Sequence, residues 1–274
     1  MGHAHSKPET DDPVGPTRVA RERYRGDRRE VGGSLIITAP IGGPVMVPSQ
    51  RRDADGHPWE NVKFDLTRDV LKEALDVMAT YLDREQVTIR VVAVGGAINV
   101  LYFQSRETTH DVDFFLGNSR SPQNHVLGDA ARYANKAFYN ELGTEWFNNS
   151  NQICIPGKIQ KGLADAAIKQ DAIVYSGEGA NGGLVIYAAP WSYAFCGKLD
   201  RLCGDNPNSY DLEDAIEYLN EYLYTKREHW VPLHRIARWC KTYQKKVTRE
   251  VIRQIDDAYY ARFGRRGIDR HPRF

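Results

Sequence analysis

From Leu66 onward, Leu66, Val70, Leu71, Ala74, Leu75, Met78, Tyr81 and Leu82 recur every three or four residues, the spacing of one helical face. Asp65 stands where the N-cap of that helix is expected. The β-branched run 87–94 breaks the period, reads as a strand, and ends on the pair Gly95-Gly96. An apolar stretch of helical length, 97–103, follows, and then a second strand-like run that carries Asp111 and Asp113. Turn formers fill 118–122, a helical period covers 126–142, and 143–162 offers few periodic cues. Strands are expected at 172–175 and 184–188, flanking the turn 177–183. Beyond Pro190 the pattern is helical throughout, with apolar stripes at 193–203, 212–223, 233–243 and 247–263. Upstream, 34–38 and 44–47 read as a hairpin joined by Gly42-Gly43, and 49–60 as a loop. Residues 1–33, rich in Pro, Arg and Gly and lacking a period, read as a disordered basic arm. The pattern therefore divides the chain into an arm (1–33), a mixed α/β domain (34–189) and a C-terminal helical domain (190–274).

Composition narrows this picture only locally. A chain of 274 residues with 41% hydrophobic residues and 15 tyrosines has material for a real core. The formal charge of +1 argues against a polyanion binder acting with its whole surface, but charge is unevenly spread. Residues 225–274 hold 14 Lys+Arg against 5 Asp+Glu, whereas 190–224 hold 2 against 7. Two readings stay open: basic C-terminal helices that meet a nucleic-acid or phosphate-rich partner, or solvated helical faces. Cys154, Cys196, Cys203 and Cys240 show no paired spacing and read as free thiols of a reducing, cytoplasmic compartment. His229 and His234 lack the clustering of a zinc site. No apolar run approaches a membrane span, and no secretory signal is visible. The opening Met1-Gly2-His3-Ala4-His5-Ser6 fits N-myristoylation at Gly2, with Arg18, Arg21, Arg23, Arg25, Arg28 and Arg29 as the second, basic signal that stable attachment to a membrane surface requires. Chance agreement with so short a pattern is the alternative.

The most informative stretch is Gly95-Gly96 followed by Asp111-Val112-Asp113. Alternate residues of a strand share a face, so the two carboxylates stand side by side and repel unless a cation lies between them. Glycines where a strand passes into a helix let backbone amides approach a phosphate. Together these parts point to a site for a metal-bound nucleoside triphosphate. The structural alternative is a half-exposed strand on which Val112, Phe114 and Phe115 account for the buried face.

On these residues the chain resembles the nucleotidyltransferase superfamily of the DNA polymerase β type, in particular the branch of AbiEii-type toxins and their small relatives. That signature is a hydrophobic residue, a glycine pair, a short helix and Asp-x-Asp on a strand, here Val94-Gly95-Gly96 and Asp111-Val112-Asp113 with fourteen residues between Gly96 and Asp111. Arg106, Thr109 and Asp111 echo the branch's Arg-x-Thr-x-Asp lead-in. Trp146-Phe147-Asn148-Asn149, Pro190-Trp191, Lys198-Leu199-Asp200-Arg201 and Tyr210-Asp211-Leu212-Glu213-Asp214 follow in the family's order, so the resemblance covers roughly 65–223. It implies an α/β (α+β) fold, a mixed sheet with flanking helices, followed by a helical bundle. It further implies metal-dependent transfer of a nucleoside monophosphate from an NTP such as ATP to a hydroxyl of a small molecule, protein or RNA. Mg²⁺ or Mn²⁺ would be held by three carboxylates, two on one strand and a third on a neighbouring one. Asp111 and Asp113 are the first two; Asp171, at the start of the next expected strand, is the candidate for the third, ahead of Asp165, which sits in a helical pattern. Gly95 and Gly96 would cradle the phosphates and Arg106 would reach one. Lys198 and Arg201, a helical turn apart, would contact triphosphate or acceptor, or else form an ion-pair face with Asp200, Asp205 or Asp211. Without a third acid, the same fold implies a nucleotide-binding sensor or scaffold that transfers nothing.

Overall fold

A short β-branched run between two helical periods becomes the central strand of the molecule. The structure is a computed structural model that describes residues 45–48, 57, 60–118 and 124–270. The arm at 1–33 with Gly2, and all of the expected hairpin except 45–47, lie outside the described residues. The fold is mixed α/β, with eight helices and a five-stranded mixed sheet among the described residues.

Strand β1 (Leu66–Thr67) leads into helix α1 (Arg68–Arg84). The cap is Thr67, whose hydroxyl accepts from the Val70 amide, and not Asp65, because Leu66 and Thr67 are held extended by pairing with β3 (Thr108–Thr109). Leu71, Ala74, Leu75, Met78 and Leu82 form the buried stripe of α1. Strand β2 (Thr88–Val94) runs parallel to β7 (Gly183–Ala188) and antiparallel to β4 (Val112–Phe115). β4 runs parallel to β5 (Phe147–Asn148), and β7 antiparallel to β6 (Ile173–Glu178), giving the order β5-β4-β2-β7-β6. Between β2 and β3 come the short helix α2 (Gly96–Ile98) and a π-helical turn, Asn99–Phe103, which ends on Gln104 in the left-handed region. The wide turn absorbs chain in the long interval between glycines and aspartates.

The sheet has two unequal faces. Ile89, Val91, Ala93, Val112, Phe114, Leu184 and Ile186 join the main core with α1 and α3 (Asn124–Ala137). Val92 and Phe115 point the other way, onto Leu163, Ala164 and Ala167 of α4 (Gly157–Gln170). The 143–162 interval, aperiodic in sequence, holds β5, a 3-10 turn at Ser150–Cys154 and the start of α4. After β7 come α5 (Trp191–Leu202), α6 (Asp211–Lys226), α7 (Leu233–Tyr243) and α8 (Arg249–Phe263). This region is not wholly helical: β8 (Val231–Pro232) pairs parallel with β9 (Ile268–Asp269). The main core runs without a break from Val47 through the sheet to Tyr259 and Ile268. No helix among the described residues is long and apolar enough to cross a membrane.

Candidate functional site

The chain leaves β2 at Gly95 with φ +75°, a conformation that side-chain-bearing residues rarely adopt. A Cβ on Gly96 would lie 2.5 Å from Thr109 Oγ1, so the second glycine is demanded by close approach. Asp113 sits in the middle of this arrangement. It pairs across the sheet with Val94 on one side and with Asn148 of β5 on the other, and its Oδ2 lies 3.7 Å from where a Gly95 Cβ would be. Val112 and Phe114 are fully buried in the main core, so Asp111 and Asp113 share the opposite side. The glycine turn is fastened from afar: Tyr218 Oη of α6 lies 2.6 Å from Asn99 Oδ1 and 3.1 Å from the Gly95 carbonyl oxygen.

Both aspartates open into a cleft of about 160 Å³ shared with Lys63, His110, Glu145 and Asn148. Burial, and then the neighbouring Asp111 charge, push the Asp113 carboxyl up to about 6. Hydrogen bonds from Asn148 and Asn151 and the charge of Lys63 offset only part of this. Burial also raises Asp111, against the lowering effects of Lys63 and His110. The chain has thus placed two acids where ionising both is unfavourable, the situation that a divalent cation relieves.

The third acid is not where the sequence order placed it. Asp171 caps the C-terminus of α4 in the left-handed conformation, exposed, two residues before β6. β6 is the far edge strand, with β7 and β2 between it and β4. Three strand spacings make roughly 14 Å, too far to share an ion with Asp113. Asp165 is exposed on α4 and pairs with Lys161 at 2.7 Å. On the two strands that do neighbour β4, the residues opposite Asp113 are Val94 of β2 and Asn148 of β5. Among the described residues no three His, Cys, Asp or Glu gather as a metal-holding group.

The three predicted cations do come together, beside the glycine turn. Arg106 Nε bonds Asp214 Oδ1 at 3.0 Å, its guanidinium stacks on Tyr210 at 3.5 Å from the ring centroid, and its Nη1 lies 3.4 Å from the Gly96 Cβ position. Lys198 Nζ reaches Asp211 at 2.8 Å and Asp214 at 2.6 Å. Arg201 Nε touches Asp211 at 3.5 Å with 58% of its side chain exposed, while both aspartates are buried. The ion-pair reading of this face is therefore correct for Asp211, with Asp214 added; Asp200 instead meets Lys245. Burial pulls the Lys198 ammonium down to about 8 although Asp211 holds it up. Three cations against two carboxylates leave one positive charge, and Arg201 is the member facing water.

Sequence reasoning missed Lys63, Asn151 and Tyr218. Lys63 lies in an aperiodic loop, and Tyr218 reads as an ordinary member of a core stripe, so neither carried a local signal. Asn149 of the Trp-Phe-Asn-Asn element is structural: its amide bonds the Val45 carbonyl and the Val47 amide, each at 2.8 Å. No protein family, curated protein or solved structure matches the chain.

Proposed function

We propose that the chain is a nucleotidyltransferase-type protein that binds a nucleoside triphosphate with a divalent cation and passes the nucleoside monophosphate to an acceptor hydroxyl. The observation that carries this reading is the contact of the Gly95–Gly96 turn with the paired acids Asp111 and Asp113. The donor set fits a hard cation: two carboxylates whose repulsion lacks full compensation, with Asn148 and Asn151 as neutral neighbours, suit Mg²⁺ or Mn²⁺ completed by water and phosphate oxygens. Such an ion, when bound, offsets triphosphate charge and acidifies the attacking hydroxyl. The chain's own groups do the positioning. The amides after Gly95 receive the terminal phosphates, and Tyr218 keeps that turn from opening. Arg201, the exposed cation of the second cluster, supplies charge to the phosphates, while Arg106 and Lys198 are committed to Asp214 and Asp211.

One observation favours a second reading. The neighbouring-strand positions opposite Asp113, one of which the resemblance gives to a third carboxylate, hold Val94 and Asn148, which leaves one ion site where transfer chemistry of this type uses two. A protein that senses a metal-bound nucleotide without transferring it needs no more than that. Thermal-shift titration with ATP, GTP, CTP and UTP, with and without Mg²⁺ or Mn²⁺, tests the site. Metal-dependent stabilisation that vanishes in Asp113→Ala supports it, and no response to any nucleotide overturns both readings. Incubation with α-labelled NTPs and cell extract separates the two: label incorporation with pyrophosphate release marks transfer, and binding alone marks the sensor.

A further inference from the structure

The charge excess of the last fifty residues resolves, in the structure, into two populations. Six of the thirteen described cations there are neutralised: Arg235 by Glu228, Lys245 by Asp200, Arg253 by Glu250, Arg262 by Glu213 and Glu217, and Arg266 and Arg270 by Asp256 and Asp257. Arg265 donates to the His229 carbonyl, and Lys226 and Arg227 stand exposed at the end of α6. Arg238 and Lys241 on α7, and Lys246 and Arg249 at the α7–α8 junction, are exposed and have no side-chain partner among the described residues. Arg238 and Lys241 stand one helical turn apart on the outer face of α7. The junction is fixed against the end of α5: the Lys246 amide bonds Asp200 Oδ1 at 2.8 Å, and the Thr248 hydroxyl lies 3.9 Å from Cys203 Sγ. Exposed, unpartnered cations among the described residues thus stand along α7 and at the junction that follows it.

We propose that this row, Arg238, Lys241, Lys246 and Arg249, is a docking track for the phosphodiester backbone of a nucleic acid. Its chemistry selects that partner. The apolar side of α7 is already spent on the core, with Ile236 and Cys240 buried and Leu233, Trp239 and Tyr243 packed against it, so the helix keeps no apolar face to lay into a membrane. Residues 233–249 expose no large hydrophobic side chain of the kind that anchors a protein interface. What remains is a spaced row of unneutralised cations, which reads charge and not sequence. The track lies outside the region that resembles nucleotidyltransferases and stands whether or not the nucleotide site is functional.

The test is fluorescence anisotropy of the full chain with labelled single-stranded RNA, duplex RNA and duplex DNA between about 0.05 and 0.3 M salt. Binding is expected to weaken with salt, and the double variant Arg238→Ala/Lys241→Ala to flatten the log–log slope by about 1.4 on a single strand, about 25-fold in affinity at about 0.1 M salt. Lys158→Ala/Lys169→Ala, which removes two exposed cations from α4, serves as the charge-matched control and should change little. Asp113→Ala should retain full nucleic-acid binding, which separates failure of the nucleotide reading from failure of this one. The three probes decide which nucleic acid is preferred. Absence of binding to all three, an effect of the control pair equal to that of the α7 pair, or pair-dependent binding to phosphatidylserine vesicles alone would each overturn the proposal.

Discussion

Replacing Asp113 with asparagine should make the metal-free protein more stable at neutral pH, although it removes a residue of the site. The Asp113 carboxyl keeps its proton up to about pH 6, by burial and by the adjacent Asp111, while in the unfolded chain it loses the proton near the ordinary value of 3.8. Between those limits the folded form binds more protons, so stability falls as pH rises from about 4 to about 6 and stays low above. The full displacement corresponds to about 3 kcal/mol of strain in the ionised native state. An amide in place of the carboxylate loses part of the hydrogen bonding from Asn148 and Asn151, which reduces the expected gain to about 1–2 kcal/mol. For a unit of this size that is about 3–6 °C in Tm. The assay is thermal unfolding of both proteins at about pH 4 and pH 8 in a chelator, repeated with Mn²⁺. The Asp113→Asn variant should match or fall below the parent in acid, exceed it in base, and lose its advantage when the parent binds the cation. A variant less stable than the parent on the alkaline side, or a difference independent of pH, refutes the reasoning that the acid pair is held in an unfavourable state.

The remaining predictions concern the frame around the acids. Asp214→Ala leaves Lys198 and Arg106 facing each other without their shared carboxylate and should cost about 3–5 kcal/mol in denaturant unfolding, whereas Arg201→Ala, at the exposed edge of the same cluster, should cost under about 1 kcal/mol. Gly96→Ala drives a methyl into Thr109 Oγ1 and should destabilise by about 1–3 kcal/mol, with part of the loss recovered in Gly96→Ala/Thr109→Ala; no recovery would place the strain in the backbone instead. Tyr218→Phe orphans Asn99 Oδ1 and releases the Gly95 carbonyl, a loss of about 1–3 kcal/mol, and hydrogen exchange of the Gly95–Ile98 amides should quicken more than that of β7.

How far the sequence could be read depended on whether a feature is local. The central strand, the glycine pair and α5 to α8 follow from local patterns, and the structure moves their bounds by a few residues. The shared side of Asp111 and Asp113 follows from strand parity alone. Asp65 lost the cap to Thr67 because a two-residue pairing with β3 delays the helix, and partners as distant in the chain as Thr108 and Thr109 leave no trace in a local window. The first turns of helix α4 went unmarked, although Asp165 already read as helical, because Gly157 and Gly162 dilute a stripe of only three buried residues. The Asp171 assignment failed for a different reason: chain order placed the next strand beside β4, whereas the sheet order put it on the opposite edge. The strand on the other side of β4 from β2 is two residues long, below what alternation can register.

The tie between Tyr218 and the Gly95 turn spans 119 residues of Asn99-to-Tyr218 separation, and that between Arg106 and Asp214 spans 108. Contacts closed across such loops form late, after local helices and hairpins have appeared. During synthesis the acids, the glycines and β2 therefore emerge well before the helix that braces them. The site is a product of the finished fold, assembled only when α6 docks, and a nascent or truncated chain ending before residue 210 carries the residues of the site without its shape.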